Sequence, residues 1–302
     1  MLTAVLLALA GACAFAVAIV VEHRTATDAS MVGGSRWLVR LARRPAWLAA
    51  QAAGGLGVAL HAAALRSGPV ALVQPLLASG LVFALALGAW VDRRHPGRPR
   101  IGRGQWVAAL AVALGLTGFL LSARPSAGAA TGSGTALGVS AAGALLVTGV
   151  AVLVTRAPGR PHRALVRGVA AGICFGVTGL LLKQLLGVPL LSWSAAGTTV
   201  ELAVVAVVGT GASQAAFAAG SLVESLPVTT VLEPAIGVLL AGPLFGESLL
   251  SGAGARLGQL AGAVLLCAGL VVLARRRPAA AEDDRVPEPF RRRSGELAMV
   301  VW

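Results

Sequence analysis

The sequence predicts an all-α integral membrane protein in which about nine transmembrane helices form two inverted four-helix repeats joined by one linking helix. Hydrophobic residues make up 57% of the chain and charged residues 12%, and the mean hydropathy is +0.82. The apolar residues gather in stretches of about 20, the length at which a helix crosses about 30 Å of hydrocarbon. Several of these stretches also resemble one another in pairs.

The apolar stretches define the predicted helices in order. Helices one to nine cover 2–22, 46–65, 69–91, 105–122, 135–155, 165–186, 194–222, 227–245 and 255–274. No basic segment precedes the first stretch, so it is predicted to be an uncleaved span and not a secretory signal. Arginines concentrate in loops one, three and five and at the start of the tail. The positive-inside rule then predicts an outside N-terminus and a cytoplasmic C-terminus in the plasma membrane, the inner membrane of a bacterial cell.

Residues 1–274 are therefore predicted to form one transmembrane domain. Repeat one covers 1–122, the linking helix 135–155 and repeat two 165–274, and residues 275–302 are predicted to be a disordered cytoplasmic tail. The segment from Met31 to Arg44 is either a helix lying in the headgroup layer or a loop whose arginines only fix the topology.

The formal net charge of +13 comes mainly from arginines between apolar runs. This pattern indicates contact with anionic lipid and not with nucleic acid. The three cysteines all fall within apolar stretches, so no disulfide, metal site or cofactor is expected. The sequence leaves homo-oligomerisation open.

Short patterns that occur once in each half support the duplication. They are Gly11-Ala12-Cys13 and Gly172-Ile173-Cys174, Pro69 to Gln74-Pro75 and Pro227 to Glu233-Pro234, and Gly104-Gln105 with Gly115 and Gly258-Gln259 with Gly269. Because the unmatched helix five crosses the membrane once between the two sets, the second set is predicted to be upside down. Inverted repeats are typical of alternating-access transporters, whose substrate site lies near the midplane between the halves.

The same residues resemble a known family. The segment from Ser67 to Leu77, the helix from Gly172 to Lys183, and Glu233-Pro234 followed by Gly246-Glu247 resemble the drug/metabolite transporter (DMT) superfamily, and the nine-span arrangement is most similar to its EamA-like and NIPA-like branches. The resemblance covers residues 1–274. It implies a secondary carrier of a small solute or ion, and a NIPA-like relationship implies magnesium transport. Repeat one departs from a magnesium site because it offers no carboxylate within a span, whereas divalent cations prefer several oxygen ligands.

Ionisable and amide side chains within the spans are the candidate contacts for the solute, because each is costly in a bilayer. Glu233 precedes Pro234 in helix eight, where the proline frees the carbonyl near Thr230. The carboxylate could bind a cation, a proton or a substrate amine, or could only stabilise a kink. Gln74, before Pro75, is its counterpart in helix three.

Four further polar residues are weaker candidates. Glu201 contacts either the solute or a proton, or simply pairs with Lys183. His61 either titrates or donates a hydrogen bond between helices. Gln51 and Gln214 either line the cavity or hold helices together.

Prolines and glycines in helices three and eight are the predicted hinges or gates: Pro69, Pro75, Gly80, Pro227, Pro234 and Gly237. Glycines spaced four apart predict close helix packing: Gly168, Gly172 and Gly176 in helix six, and Gly254, Gly258 and Gly262 in helix nine.

The sequence thus predicts a membrane carrier that is not an enzyme. It lacks the Gly-x-x-x-x-Gly-Lys-Ser/Thr phosphate loop of an ATPase, and its four histidines are dispersed. A divalent cation transporter, a non-transporting membrane scaffold and a lipid-modifying enzyme are the alternatives.

Overall fold

The computed structural model describes residues 1–30, 44–92, 102–155, 163–189, 191–219 and 222–275. Within these ranges every regular element is an α-helix. The helices are α1 (Leu2–Ser30), α2 (Pro45–Ser67), α3 (Val70–Ala78), α4 (Gly80–Asp92), α5 (Arg103–Ala123), α6 (Gly134–Val154), α7 (Arg163–Gly187), α8 (Trp193–Ala219), α9 (Leu222–Phe245) and α10 (Ala253–Arg275).

Eight helical segments in the described ranges are long and apolar enough to cross a membrane, with α3 and α4 together forming one of them. The apolar part of α1 is shorter and covers Leu2–Ala18. The prediction of a multi-pass, all-helical membrane protein is therefore confirmed for the described residues. The segment from Met31 to Arg44, apart from Arg44 itself, and the tail beyond residue 275 lie outside the described residues.

The largest differences from the predicted helices occur at three places. α1 continues to Ser30, well beyond the predicted end at residue 22. α9 begins at Leu222, so Pro227 lies inside this helix and does not open it as predicted. Predicted helix three is interrupted at Ser79 between α3 and α4. The N–H and the hydroxyl of Ser79 both donate to the Leu76 carbonyl, at 3.1 and 2.6 Å, which tightens the last turn of α3. α4 then begins at the next residue, Gly80.

Small residues form the helix contacts, while large apolar residues cover the outer surface. Ala4, Ala8 and Ala12 of α1 recur every fourth residue and have no exposed surface, and α1 packs mainly against α2, with α4 and α3 as further neighbours. Leucines such as Leu110 and Leu146 are more than half exposed. In lipid, helices associate by close packing of small residues, and the outward leucines are favourable in hydrocarbon.

The loops that follow α2, α5, α7 and α9 meet at one end of the bundle, which we call the even-loop end. The Ala129 N–H donates to the Phe245 carbonyl at 2.7 Å, and the Gly132 N–H donates to the Gln184 side chain at 2.7 Å. These loops correspond to predicted loops two, four, six and eight. Their clustering agrees with the predicted alternation of spans, and the assignment of this end to the outside stays a prediction.

The pair α5 and α10 makes the most extensive contact between helices in the described ranges. A Cβ atom on Gly115 would lie 2.3 Å from the Leu266 nitrogen and 2.8 Å from the Gly262 carbonyl oxygen. The two backbones therefore touch directly, and only glycine fits at this crossing.

A second crossing lies further along the same pair. A Cβ atom on Gly269 would lie 2.8 Å from the Ala108 carbonyl oxygen and 2.8 Å from the Val112 nitrogen. Gly115 thus contacts residues 262 and 266, whereas Gly269, nearer the end of α10, contacts residues 108 and 112, nearer the start of α5. The two helices therefore run antiparallel.

Candidate functional site

A buried acidic residue follows α9 at the even-loop end. Gly246 has the left-handed φ of +70°, and its N–H donates to the Gly242 carbonyl at 2.8 Å. Glycine adopts this conformation without a Cβ clash, which is why it commonly ends helices. The next residue, Glu247, is only 7% exposed.

Glu247 forms a buried ion pair with Lys183 near the end of α7. The Lys183 ammonium also lies 4.7 Å from the centre of the Phe245 ring, a distance at which the ring face attracts a cation. Lys183 is 6% exposed. Removing one partner of such a pair typically costs about 3–5 kcal/mol, because the other charge stays buried.

The same carboxylate caps the first turn of α3. Its Oε1 accepts a hydrogen bond from the Val70 N–H at 2.7 Å, and its Oε2 accepts one from the Ala71 N–H at 2.9 Å. The first N–H groups of a helix have no partner within the helix, and the helix dipole favours a negative charge there. Glu247 therefore joins the segment after α9 to both α3 and α7.

Gln74 lies one helical turn deeper along α3 and is 1% exposed. A Cβ on Gly179 of α7 would lie 1.9 Å from the Gln74 Nε2, and a Cβ on Gly237 of α9 would lie 2.8 Å from its Cγ. The side chain thus fills the space that these two glycines leave. Neither its Nε2 nor its Oε1 has a hydrogen-bond partner among the described residues.

Glu233 lies one turn before Gly237 on α9 and is half-buried. A Cβ on Gly176 of α7 would lie 2.8 Å from the Glu233 carbonyl oxygen, so α7 and α9 also approach closely here. Thr230 is half-buried on the same helix, and the hydroxyl of Thr229 donates to the Gly168 carbonyl at 3.0 Å. The line where α3, α7 and α9 meet, which we call the polar seam, therefore carries Glu247 with Lys183 and then Gln74, and Glu233 follows on α9 one turn from Gly237.

The predicted pair of Glu201 with Lys183 is not formed, because Lys183 pairs with Glu247 instead. Glu201 is half-buried on α8, and its Oε1 lies 3.5 Å from where a Cβ on Gly138 of α6 would stand. It therefore faces the linking helix. A pair was predicted because only a short loop separates the helices of residues 183 and 201. The long side chain of Lys183 instead reaches Glu247, which is distant in sequence.

The remaining candidates lie away from the polar seam or outside the described side chains. His61 is buried on α2, and its Nε2 has no hydrogen-bond partner among the described residues. Gln51 is exposed on α2. Gln214 belongs to α8 and Pro227 to α9, but their side chains are not among those described.

Of the other predicted hinge residues, Pro69 and Pro75 are buried at α3, and Pro234 is buried within α9. A Cβ on Gly80, the first residue of α4, would lie 3.2 Å from the Ala12 carbonyl oxygen. Gly237 lies inside the continuous helix α9, where it makes room for Gln74.

A cavity of about 260 Å³ lies beside Glu247 at the even-loop end. Its lining is mainly apolar and includes Ala71, Ala241 and Leu249, with Glu247 as the charged member. Among the described residues, no three His, Cys, Asp or Glu side chains come together as they would around a metal ion. The seam therefore offers two carboxylates, of which Glu247 is already paired with Lys183, and the amide of Gln74.

Two sets of polar contacts in the structure are not predicted from the sequence. One involves Glu247, for which the sequence offers one signal, a Gly-Glu pair directly after an apolar helix, where the glycine can turn the carboxylate back toward the helix end. The other is Arg167, whose guanidinium donates to the Thr155 hydroxyl at 2.9 Å and to the Thr155 and Ala215 carbonyls at 3.1 Å. Arg167 thus joins α7 to the end of α6 and to α8.

The apolar helices and their buried polar seam define a multi-pass helical membrane protein. The chain is 30% identical over 261 residues to an uncharacterised protein of Corynebacterium glutamicum, and the match covers 82% of this chain and 86% of that protein. The chain belongs to the same family as that protein. No family model matches the chain, and no solved structure matches it.

Proposed function

We propose that this protein is a secondary transporter that moves a small solute across the plasma membrane by alternating access between two inverted repeats. The observation that carries the proposal is the packing of α5 against α10, in which the contacts of one glycine repeat those of its sequence counterpart. Transporters built from inverted repeats bind their substrate where the halves meet and open alternately to the two sides.

The contacts between α5 and α10 follow the sequence alignment of the two halves. The spacing that aligns the helix starts pairs four positions: Gly104 with Gly258, Ala108 with Gly262, Val112 with Leu266 and Gly115 with Gly269. Gly115 packs against the carbonyl of Gly262 and the nitrogen of Leu266. Gly269 packs against the carbonyl and nitrogen of their two aligned partners, Ala108 and Val112. A twofold axis between antiparallel helices produces this reciprocity.

The first two helices of each half make a similar, though not position-for-position, contact. In repeat one, the Phe15 ring of α1 occupies the space that a Cβ on Gly57 of α2 would need. In repeat two, the Phe175 ring of α7 lies 3.3 Å from where a Cβ on Gly209 of α8 would stand. Phe15 lies four residues after Gly11 and Phe175 three residues after Gly172, so the two rings stand at neighbouring and not identical positions of the repeat.

The polar seam supports a solute site between the halves. α3 and α9 are the two counterpart helices with an internal proline, and they pack against each other. Gln74 and Glu233 precede those prolines. A carboxylate favours a cation, a proton or an amine, and an amide both donates and accepts hydrogen bonds, so the solute is expected to carry a polar or positively charged group.

Transport by the purified protein in liposomes tests the proposal. Uptake of radiolabelled amino acids, nucleosides and polyamines, and of Mg²⁺ by an enclosed fluorescent indicator, is compared with protein-free liposomes under an imposed pH gradient and membrane potential. We expect flux for one class of probe and a loss of about tenfold or more in Glu233→Gln, because the charge that meets the solute is neutralised.

The matched control is Thr210→Ala. Thr210 is exposed on α8, and its hydroxyl donates at 2.8 Å to the Ala206 carbonyl of its own helix, so flux should be unchanged. Flux that persists unaltered in Glu233→Gln would remove the assigned site. Absence of flux for every probe would contradict the transporter proposal.

A further inference from the structure

We infer that Glu247 and Lys183 form a latch that holds α3 against α7 and α9 and thereby keeps the even-loop end of the polar seam closed. The inference rests on the proposed transporter function for its purpose, but the latch itself can be measured without any solute. Its members are the Glu247 carboxylate, the Lys183 ammonium and the first two N–H groups of α3.

α3 has the dimensions of a separate moving part. It contains nine residues, begins after Gly68 and Pro69, and ends at the break before Gly80. Within it, Pro75 leaves one carbonyl without its helical partner. Breaks at both ends allow such a segment to tilt without unwinding its neighbours, as occurs where helices are interrupted in transporters.

The latch acts at the N-terminal end of α3. Glu247 accepts the hydrogen bonds of Val70 and Ala71 at 2.7 and 2.9 Å, while its ion pair holds the end of α7. Because one carboxylate serves both helices, losing its charge weakens both attachments at once. The adjoining cavity of about 260 Å³ gives the Glu247 side chain room to move when it is released.

The burial of Gln74, one helical turn further along α3 than Val70, is unfavourable and therefore opposes the latch. In the closed packing its amide is 1% exposed and has no hydrogen-bond partner among the described residues. Burying an amide without a partner is unfavourable, and water or a solute would satisfy it once α3 moves away from Gly179 and Gly237. α3 thus has a favourable interaction with Glu247 and an unfavourable one in the burial of Gln74. Opposing contributions on the same short helix give two states of similar free energy.

Water access to position 74 reports the latch. Gln74→Cys is introduced after Cys13, Cys174 and Cys267 are changed to serine, and the protein is placed in lipid nanodiscs, where both faces are accessible. The rate of labelling by a small, charged methanethiosulfonate reagent is then measured. We expect slow labelling with the latch intact and a rise of about tenfold or more in Glu247→Gln and in Lys183→Met.

Three comparisons separate a latch from general loosening of the fold. Lys183→Arg keeps the charge and should keep labelling slow. Gln184→Met removes the 2.7 Å hydrogen bond to Gly132 at the same end, without touching the latch groups, and should also leave position 74 protected. Native Cys174 has no exposed surface, so in chains that retain it alone it should stay unreactive when Glu247 is changed.

Unchanged labelling at position 74 in both latch variants would overturn the inference. An equal rise at position 74 and at Cys174 would also overturn it, because the pair would then stabilise the whole fold and not α3 in particular. Since no solute is present, a positive labelling result stands even if no transported solute is found, and transport without a labelling response would leave only the latch refuted.

Discussion

Placing a methyl group at the crossing of α5 and α10 should separate the two helices. In Gly115→Ala the new Cβ would start 2.3 Å from the Leu266 nitrogen, whereas ordinary contact begins near 3.4 Å. The backbones must therefore move apart by roughly 1 Å, and overpacking of this kind costs about 1–3 kcal/mol or more. The better helix propensity of alanine returns only about 0.5–1 kcal/mol. A net loss of about 1–2 kcal/mol in the free energy of unfolding is expected.

The same helix offers a matched control in Gly118, where a Cβ would meet its nearest atom at the ordinary distance of 3.9 Å. Gly118→Ala should therefore be neutral or stabilising by about 0.5–1 kcal/mol. Gly269→Ala should be destabilising like Gly115→Ala, because its Cβ would meet backbone atoms at 2.8 Å. Unfolding by sodium dodecyl sulfate in mixed micelles measures all three. Equal stability of Gly115→Ala and Gly118→Ala would refute the close crossing, and a neutral Gly269→Ala would refute its reciprocity.

Three further changes have expected outcomes in the same unfolding assay. Gln74→Met should raise the free energy of unfolding by about 1–2 kcal/mol, since it removes an amide that is buried without a partner; a loss of stability would show that the amide is satisfied. Arg167→Met should lower it by about 1–3 kcal/mol, because the bonds to Thr155 and Ala215 are lost, and Arg167→Lys should restore only part of this. Gly246→Ala should cost about 1 kcal/mol at its φ of +70°, and equal stability of the variant would contradict that backbone conformation.

Most of the helical layout followed from the sequence, because bilayer thickness and apolar run length are directly linked. The predicted range 135–155 compares with Gly134–Val154, and 255–274 with Ala253–Arg275. The helix boundaries that failed lie where apolarity does not mark the end. α9 extends past Pro227 to Leu222, since a proline inside a membrane helix is tolerated when neighbouring groups satisfy the freed carbonyl.

The polar contacts were less predictable, because they join residues that are distant in sequence. Gln74 and Glu233 could be found from their positions before prolines. The partner of Lys183 could not, since Glu201, the predicted partner, and Glu247, the observed one, differ only in where the fold places them. The left-handed turn at Gly246 places Glu247 beside Lys183, whereas Glu201 faces Gly138 on the linking helix. Loop geometry, which hydropathy does not encode, decides between the two.

α3 and α9 carry different polar groups before their prolines, an amide in Gln74 and a carboxylate in Glu233. A neutral amide without a partner costs about 1–3 kcal/mol to bury, whereas an unpaired carboxylate costs far more. Gln74 can therefore be packed dry between two glycines, while Glu233, which stays half-buried, needs water, a proton or a solute cation. If the halves carried identical groups, neither end would be favoured. In the proposed transporter, this asymmetry and the Glu247 latch together favour the state that is closed at the even-loop end when no solute is bound.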